Sequence, residues 1–443
     1  MRSRRARRAG VRRGSRIGDS PPPAAPAPRD PLAMRRAGED PAGESTPLVA
    51  SSASLPAARD AHLDNCKFFL MCVVVFNHCF QDYFEHVLDP TTGREWCGSD
   101  ASWFFRFARG AYLYLNLLGM PAFAVVSGFC SRGFVRAARE GLDEDSSATL
   151  KPADPTSLAS RSRQMVETLL VPYVIWQTFY ALYNYATWYP AQAWSPIGVT
   201  WYLTSLFAWR ASAQYVAALR GALPLTFALG LAVGFTDTPA TANGLPFLDF
   251  QRALVFAPLF YLGALEGTPE RVAALRSRRA LGWAVTLVSF GACVAAFARG
   301  GGDRGEGGAV CFDEAQRWAW NMEGYAGASA AEAAGGAGRR AGFYAAAIAT
   351  ALGFFAVAPG TRGWYTEYGS RTMYAYLLHL LLVRGFVLAN EEWLRGIPRW
   401  ASAGASFLAL PTLGSVGLMA PWCKRCFWWC VEPRLGAWMW VRG

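Results

Sequence analysis

Four histidines, no Asn-x-Ser/Thr sequon and a charged fraction of only 17% are the first things notable in this chain of 443 residues for their scarcity. No Gly-rich phosphate loop, zinc motif or haem motif occurs, which removes the function classes those motifs mark. No apolar stretch precedes residue 66, so a cleaved secretory signal is not expected. An internal repeat is also missing, which disfavours the inverted-repeat transporters. Disorder is excluded for most of the chain by what is abundant: 53% hydrophobic and 14% aromatic residues, with 18 Trp.

The apolar residues fall into runs near 66–84, 111–134, 165–187, 199–211, 222–236, 252–267, 280–298, 342–358, 370–389 and 402–420. Most approach the ~20 residues that span a bilayer as a helix, although the fourth and fifth are at or below the lower limit. The expected fold class is an all-α, polytopic integral membrane bundle of about ten transmembrane helices. The expected division is a basic tail at 1–59, a membrane domain at 60–425 and a short C-terminal tail at 426–443. The tail carries twelve Arg and no Lys against five acids, +7 of the net +11, in an Ala-, Pro- and Ser-rich context that cannot bury a core. It reads as a disordered cytosolic arm or, alternatively, an organelle transit peptide. Arg271, Arg276, Arg278 and Arg279 crowd one loop, whereas loops near 188–198 and 237–250 have no Lys or Arg. By the positive-inside rule both termini are then cytosolic, in an endomembrane or the plasma membrane. The loop 299–341, with five Arg and two Gly-rich stretches, is expected to be a long non-cytosolic connection that does not span.

Cys66, Cys72, Cys79, Cys130 and Cys293 lie in apolar runs, where Cys serves as a small hydrophobe. Cys97 and Cys311 fall in non-cytosolic loops and could pair in an oxidising compartment. Cys423 and Cys426 form a CxxC with Cys430 close by, but with no second CxxC and no nearby His a zinc site lacks a fourth ligand, so interfacial burial or palmitoylation is expected and no metal site is.

An ionisable residue inside a membrane span is a functional candidate by default, because hydrocarbon is a costly place for it. His78 and His379 are such residues; His62 and His86 are not. Lys67 and His78 are eleven residues apart, close to three helical turns, so both project from nearly one face about 16 Å apart along the axis. A cation near the entrance and an imidazole deeper in would line one tunnel. Asp82, four residues past His78, can reach its ring across one turn and fix the tautomer, as a general base requires.

The run RDAHLDNCKFFLMCVVVFNH (59–78) resembles the opening of the membrane acyltransferase-3 family, the integral O-acetyltransferases of carbohydrates, in its fucose and nodulation-factor acetylase-like branch. MPAFAVVSGFCSRGF (120–134), RQMVETLLVPYVIW (163–176), TWYLTSLFAWR (200–210), RALVFAPLFYLG (252–263) and GSRTMYAYLLH (369–379) resemble further segments of that family, in order, across about 59–420. The resemblance implies a ten-span enzyme that takes acetyl from cytosolic acetyl-CoA, its donor, with no tightly bound cofactor, and delivers it to a hydroxyl of a carbohydrate or glycan acceptor. It implies His78 as catalytic base, with His379 in the family's late Tyr-Leu-Leu-His segment. Lys67 stands where many relatives have Arg, which keeps the cation but loses the bidentate fork, and Gly119 stands where relatives often carry His. Lys67 and Arg163 are candidate coenzyme A contacts at the cytosolic side.

Acyl transfer asks for a base and for donors to a developing oxyanion in a dry site. Asn77 joins His78, His379 and Asp82 as a catalytic candidate, while Ser127, Trp201 and Arg252 are candidate substrate contacts. Trp188 and Trp194 could stack on a sugar, although Trp also gathers at membrane interfaces without further role. Two other classes stay open. A transporter would carry paired intramembrane acids, but beyond Asp64 and Asp82 only Glu167 and Glu266 occur in the runs, each near an end. A catalytically inactive acyltransferase-like scaffold or sensor is compatible with the Lys67 and Gly119 departures. The expected partners are acetyl-CoA, a glycan acceptor and the lipid bilayer, without nucleic acid.

Overall fold

The computed structural model describes residues 60–83, 87, 103–135, 158–186, 195–236, 247–298, 324–325 and 329–433. The tail at 1–59, His86, Cys97, Cys311, Trp188 and Trp194 lie outside them. Among the described residues the secondary structure is helical, with no strand. Seven helical stretches are long and apolar enough to cross a bilayer: Ala61–Asp82, Phe107–Cys130, Phe247–Glu266, Arg279–Ala296, Ala330–Val357, Trp364–Ala389 and Trp400–Leu418. The protein is an all-α, multi-pass integral membrane bundle.

In chain order the elements that matter below are α1 (Ala61–Asp82), α2 (Trp103–Cys130), α3 (Leu158–Met165), α4 (Val171–Ala186), α5 (Trp201–Ala217), α6 (Ala222–Ala232), α7 (Phe250–Glu266), α8 (Pro269–Ser277), α9 (Arg279–Ala298), α10 (Ala330–Val357), α11 (Trp364–Tyr368), α12 (Thr372–Ala389), α13 (Glu391–Gly396), α14 (Arg399–Gly404), α15 (Leu410–Leu418) and α16 (Pro421–Val431). Seven of the ten expected runs meet that length and hydropathy among the described residues. The three runs that do not meet the span measure are helical but shorter or interrupted: 165–187 is shared between α3, a π-turn and α4, 199–211 is α5, and 222–236 is an apolar helix over Ala222–Phe235.

Two π-turns have one sequence cause. Val166–Leu170 and Ala405–Ala409 each end two residues before a proline, Pro172 and Pro411. Proline has no N–H to give and its ring crowds the carbonyl four residues earlier, so the preceding turn widens to i→i+5 bonding, as in Val171 N–H to Val166 O. The helix continues instead of breaking.

The expected non-spanning loop at 299–341 is also corrected. The helix α10 begins at Ala330, three turns earlier than the apolar run suggests, because Ser329 and Glu332 close a capping box on its first turn. Arg340 is buried there, donating to Gly230 O at 3.4 Å and lying over the Tyr325 ring at 4.9 Å. At the other end of the chain, α16 runs across the expected 425/426 boundary as one helix, held by Trp176 Nε1 donating to Cys430 O at 3.0 Å.

The helix α1 packs against α2 and α12, with α11 and α15 also in contact, and α2 in turn meets α7, α9 and α10. Lipid is as apolar as leucine, so helices in a membrane associate through close packing more than through water exclusion. The α2–α7 crossing shows this at the backbone. A Cβ on Gly128 would sit 1.9 Å from Phe260 O, and one on Gly263 would sit 1.9 Å from Val125 O. Only glycines permit that approach. At the Ala61 end, Asn65 is buried and clamps α1 to the segment before α11, donating to Pro359 O (2.8 Å) and Thr361 O (2.9 Å) and accepting from Thr366 (2.7 Å).

Candidate functional site

A cavity of about 250 Å³ with several polar side chains in its wall lies among α1, α2, α7, α12 and the segment before α5. Each wall has a local cause. On α1, Asn77, His78 and Gln81 face it, since residues three and four apart share a helix face. On α2, Asn116 and Gly119 do so. The 195–200 segment is irregular and would carry unsatisfied backbone groups in a membrane, but Gln177 of α4 answers three of its polar groups. Its Nε2 donates to Ser195 O (2.6 Å), and its Oε1 accepts from Ile197 N (3.0 Å) and Thr200 Oγ1 (2.8 Å). Tyr376 of α12 donates to Val199 O. Gly198 has φ +57°, a left-handed conformation that favours glycine at this turn.

Before α7 the backbone enters the left-handed region at two non-glycine residues, Leu248 (φ 52°) and Asp249 (φ 51°). Such conformations cost roughly 1–3 kcal/mol each and persist where the surroundings enforce them. Here they direct the buried Asp249 to the cavity, where its Oδ2 pairs with Arg252 Nη1 at 3.0 Å. The Arg252 guanidinium also lies over the Trp201 ring at 4.6 Å. A second guanidinium, that of Arg384 on α12, lines the cavity with its Nε 4.0 Å from Asp82 Oδ1. Each cation therefore faces a buried carboxylate.

The two span histidines meet at this cavity. Their ring centroids are 5.0 Å apart at 45°, with His78 in the cavity wall and His379 fully buried behind it. His379 Nδ1 is 2.9 Å from both Ala375 O and Tyr376 O, so Nδ1 carries the proton and Nε2 holds the lone pair. That Nε2 has no hydrogen-bond partner among the described residues. His78 is hydrogen bonded to Gln81.

Of the residues expected from sequence, the cavity gathers Asn77, His78, Trp201 and Arg252, with His379 against His78. Asn77 is fixed by a reciprocal amide pair with Asn116, at 3.2 and 2.9 Å. The other four candidates lie outside the cavity wall. Asp82 faces Arg384, and Gln81 makes the hydrogen bond to His78 that was expected of Asp82; a buried carboxylate is drawn to the nearest cation. Lys67, about 16 Å along α1 from His78 as its spacing predicts, is not in the cavity wall, and its Nζ is 2.6 Å from Asp64 Oδ1. Ser127 lies deeper along α2, accepting from Tyr202 OH at 2.7 Å. Arg163 is on the exposed side of α3, paired with Glu167 at 3.1 Å.

Gln81, Asn116, Asp249 and Arg384 were not singled out in the sequence. Arg384 and Asn116 had a usable signal, being polar residues inside the apolar runs 370–389 and 111–134. Asp249 had none, since it precedes its run. Among the described residues no cluster of His, Cys, Asp or Glu is arranged to hold a metal ion. No family model, curated protein or solved structure matches the chain.

Proposed function

We propose that the protein is a membrane-embedded O-acyltransferase that moves acetyl from coenzyme A to a hydroxyl of a carbohydrate or glycan. The observation that carries this reading is the pairing of His78 with His379, 5.0 Å apart, at a cavity with polar side chains in its wall inside an otherwise apolar bundle. Acyl transfer needs a base that is neutral and within reach of the acceptor, and buried imidazole supplies one. His78 takes the proton of the acceptor hydroxyl while its oxygen attacks the thioester carbonyl. The carbon–sulfur bond then breaks, and the proton passes from the imidazolium to the departing thiolate. His379, with its Nδ1 committed to two carbonyls, backs the His78 ring and limits its orientation. Arg252 and the second N–H of the Asn77 amide, whose first N–H and carbonyl are held by Asn116, offer hydrogen-bond donors to the acceptor and to the developing oxyanion. The donor is expected from the face that carries the basic loops, which the positive-inside pattern makes cytosolic.

The test is transfer of labelled acetyl from acetyl-CoA in membranes containing wild type, His78→Ala or His379→Ala at matched folded amounts. Transfer to a glycan fraction that His78→Ala abolishes supports the assignment. Transfer unchanged in His78→Ala refutes His78 as base, and absence of transfer by wild type across a broad acceptor panel refutes the acyltransferase reading in favour of a non-enzymatic role.

A further inference from the structure

A second polar construction lies away from the cavity, toward the opposite end of α2 and α5. Ser131 closes the last turn of α2, donating from Oγ to Ser127 O at 2.7 Å. Its Oγ accepts from Arg210 Nε at 2.9 Å. The Arg210 guanidinium carbon lies 5.5 Å from the centre of the Phe134 ring, and that of Arg161, from α3, lies 5.9 Å from the same ring. Three chain segments thus bring two guanidinium groups to one aromatic ring. Neither has a carboxylate within ion-pair distance among the described residues, whereas Arg163, two residues from Arg161, is paired with Glu167.

Two like charges beside one ring repel, and a half-buried guanidinium with no counter-ion among the described residues is expensive in a membrane protein. The ring and the Ser131 oxygen fix the forks but do not neutralise them. The chemistry that completes such a pair is a multivalent oxyanion taken in bidentate fashion, which guanidinium fits better than ammonium does. Position adds a second argument. Trp201, in the cavity wall, and Arg210 are nine residues apart on α5, about 14 Å along the axis. Between them runs a polar line, with Tyr202 OH donating to Ser127 Oγ and Ser127 O accepting from Ser131. An extended pantetheine arm bridges that distance.

We propose that Arg161 and Arg210, set about Phe134, form a binding site for a phosphate-bearing anion; if the acetyl-transfer reading holds, that anion is the phosphate end of coenzyme A. This assigns the donor contact to residues other than Lys67 and Arg163, both of which already hold a carboxylate. A phospholipid headgroup presents the same chemistry from the bilayer.

The experiment uses the full chain in nanodiscs of phosphatidylcholine, with and without phosphatidic acid, titrated with inorganic pyrophosphate and with coenzyme A. Wild type is compared with Arg210→Gln, Arg161→Gln and His78→Ala. Loss of a bidentate fork should weaken pyrophosphate binding about tenfold in each Arg variant and leave His78→Ala at the wild-type value. Coenzyme A weakened in parallel, and unaffected by phosphatidic acid, identifies the donor as the ligand; phosphatidic acid displacing pyrophosphate while coenzyme A does not identifies a lipid. Arg161→Gln, on a partly exposed side chain, serves where Arg210→Gln fails to fold. Binding unchanged in both Arg variants, or no binding by wild type, overturns the proposal. Acetyl transfer that persists undiminished in both Arg variants overturns the coenzyme A assignment while leaving the acyltransferase reading intact. Arg-dependent binding by a protein that transfers no acetyl leaves the anion site standing and removes that reading.

Discussion

Replacing Gly128 or Gly263 with alanine sets two physical effects against each other. Helix propensity alone favours alanine over glycine in a helix interior by roughly 0.5–1 kcal/mol. Packing opposes it. The added Cβ at either site would sit 1.9 Å from a carbonyl oxygen of the facing helix. Carbon approaches such an oxygen only to about 3.3 Å, so α2 and α7 must separate by about 1.4 Å. The obstacle is backbone, which cannot rotate away as a side chain could, and overpacking of this kind costs typically 1–3 kcal/mol, occasionally more. The expected net effect is destabilisation of about 1–2 kcal/mol at each position. Gly291 in α9 is the control, since a Cβ there meets nothing within 4 Å. The assay is denaturant unfolding of purified protein in detergent followed by tryptophan fluorescence. Gly291→Ala should hold or raise the midpoint, whereas Gly128→Ala and Gly263→Ala should lower it. Because α2 and α7 carry Asn116 and Arg252 into the cavity, both variants should also lose activity. Midpoints of all three variants moving together would refute the packing argument.

The remaining expectations follow from the same contacts. Gln177→Leu removes three hydrogen bonds from the 195–200 segment and should cost about 3 kcal/mol, read in the same unfolding assay; an unchanged midpoint would mean the segment holds its shape without this clamp. Arg384→Gln removes the guanidinium 4.0 Å from the buried Asp82 carboxylate and should lower the midpoint, and adding Asp82→Asn should restore part of the loss; additivity in that double-mutant cycle would refute the coupling. In α16, burial pushes the Cys423 and Cys430 thiols up to about 11, while Cys426 is exposed. Since the thiolate is the nucleophile, brief maleimide labelling at pH 7–8 followed by mass spectrometry should find Cys426 modified first among these three, with Cys423 and Cys430 reacting faster as pH rises toward 11. Equal labelling of all three would contradict the packing of this helix.

The division between what was legible in the chain and what was not follows the range of the interactions involved. Membrane character, helical class and the positions of His78, His379, Trp201 and Arg252 were readable, because apolar runs and isolated polar residues within them are properties of a single segment. The early start of α10 was half readable: Ser329 and Glu332 are a capping box by spacing, but the Gly-rich stretch after them disguised a helix that Tyr325 and Gly230 help to hold. Pairings across elements were not readable at all. Asp82 to Arg384, Asn77 to Asn116 and Arg161 with Arg210 about Phe134 join residues separated by dozens to hundreds of positions, and nothing in either segment names its partner.

By itself the sequence determined that the chain forms apolar helices in a bilayer, since hydropathy and backbone hydrogen bonding act locally along each segment. Only the tertiary structure decided which polar groups share a cavity and which cations are matched by carboxylates. Those are outcomes of helix crossings, and the crossings rest on approaches such as Gly128 to Phe260 and Gly263 to Val125 that no single helix contains.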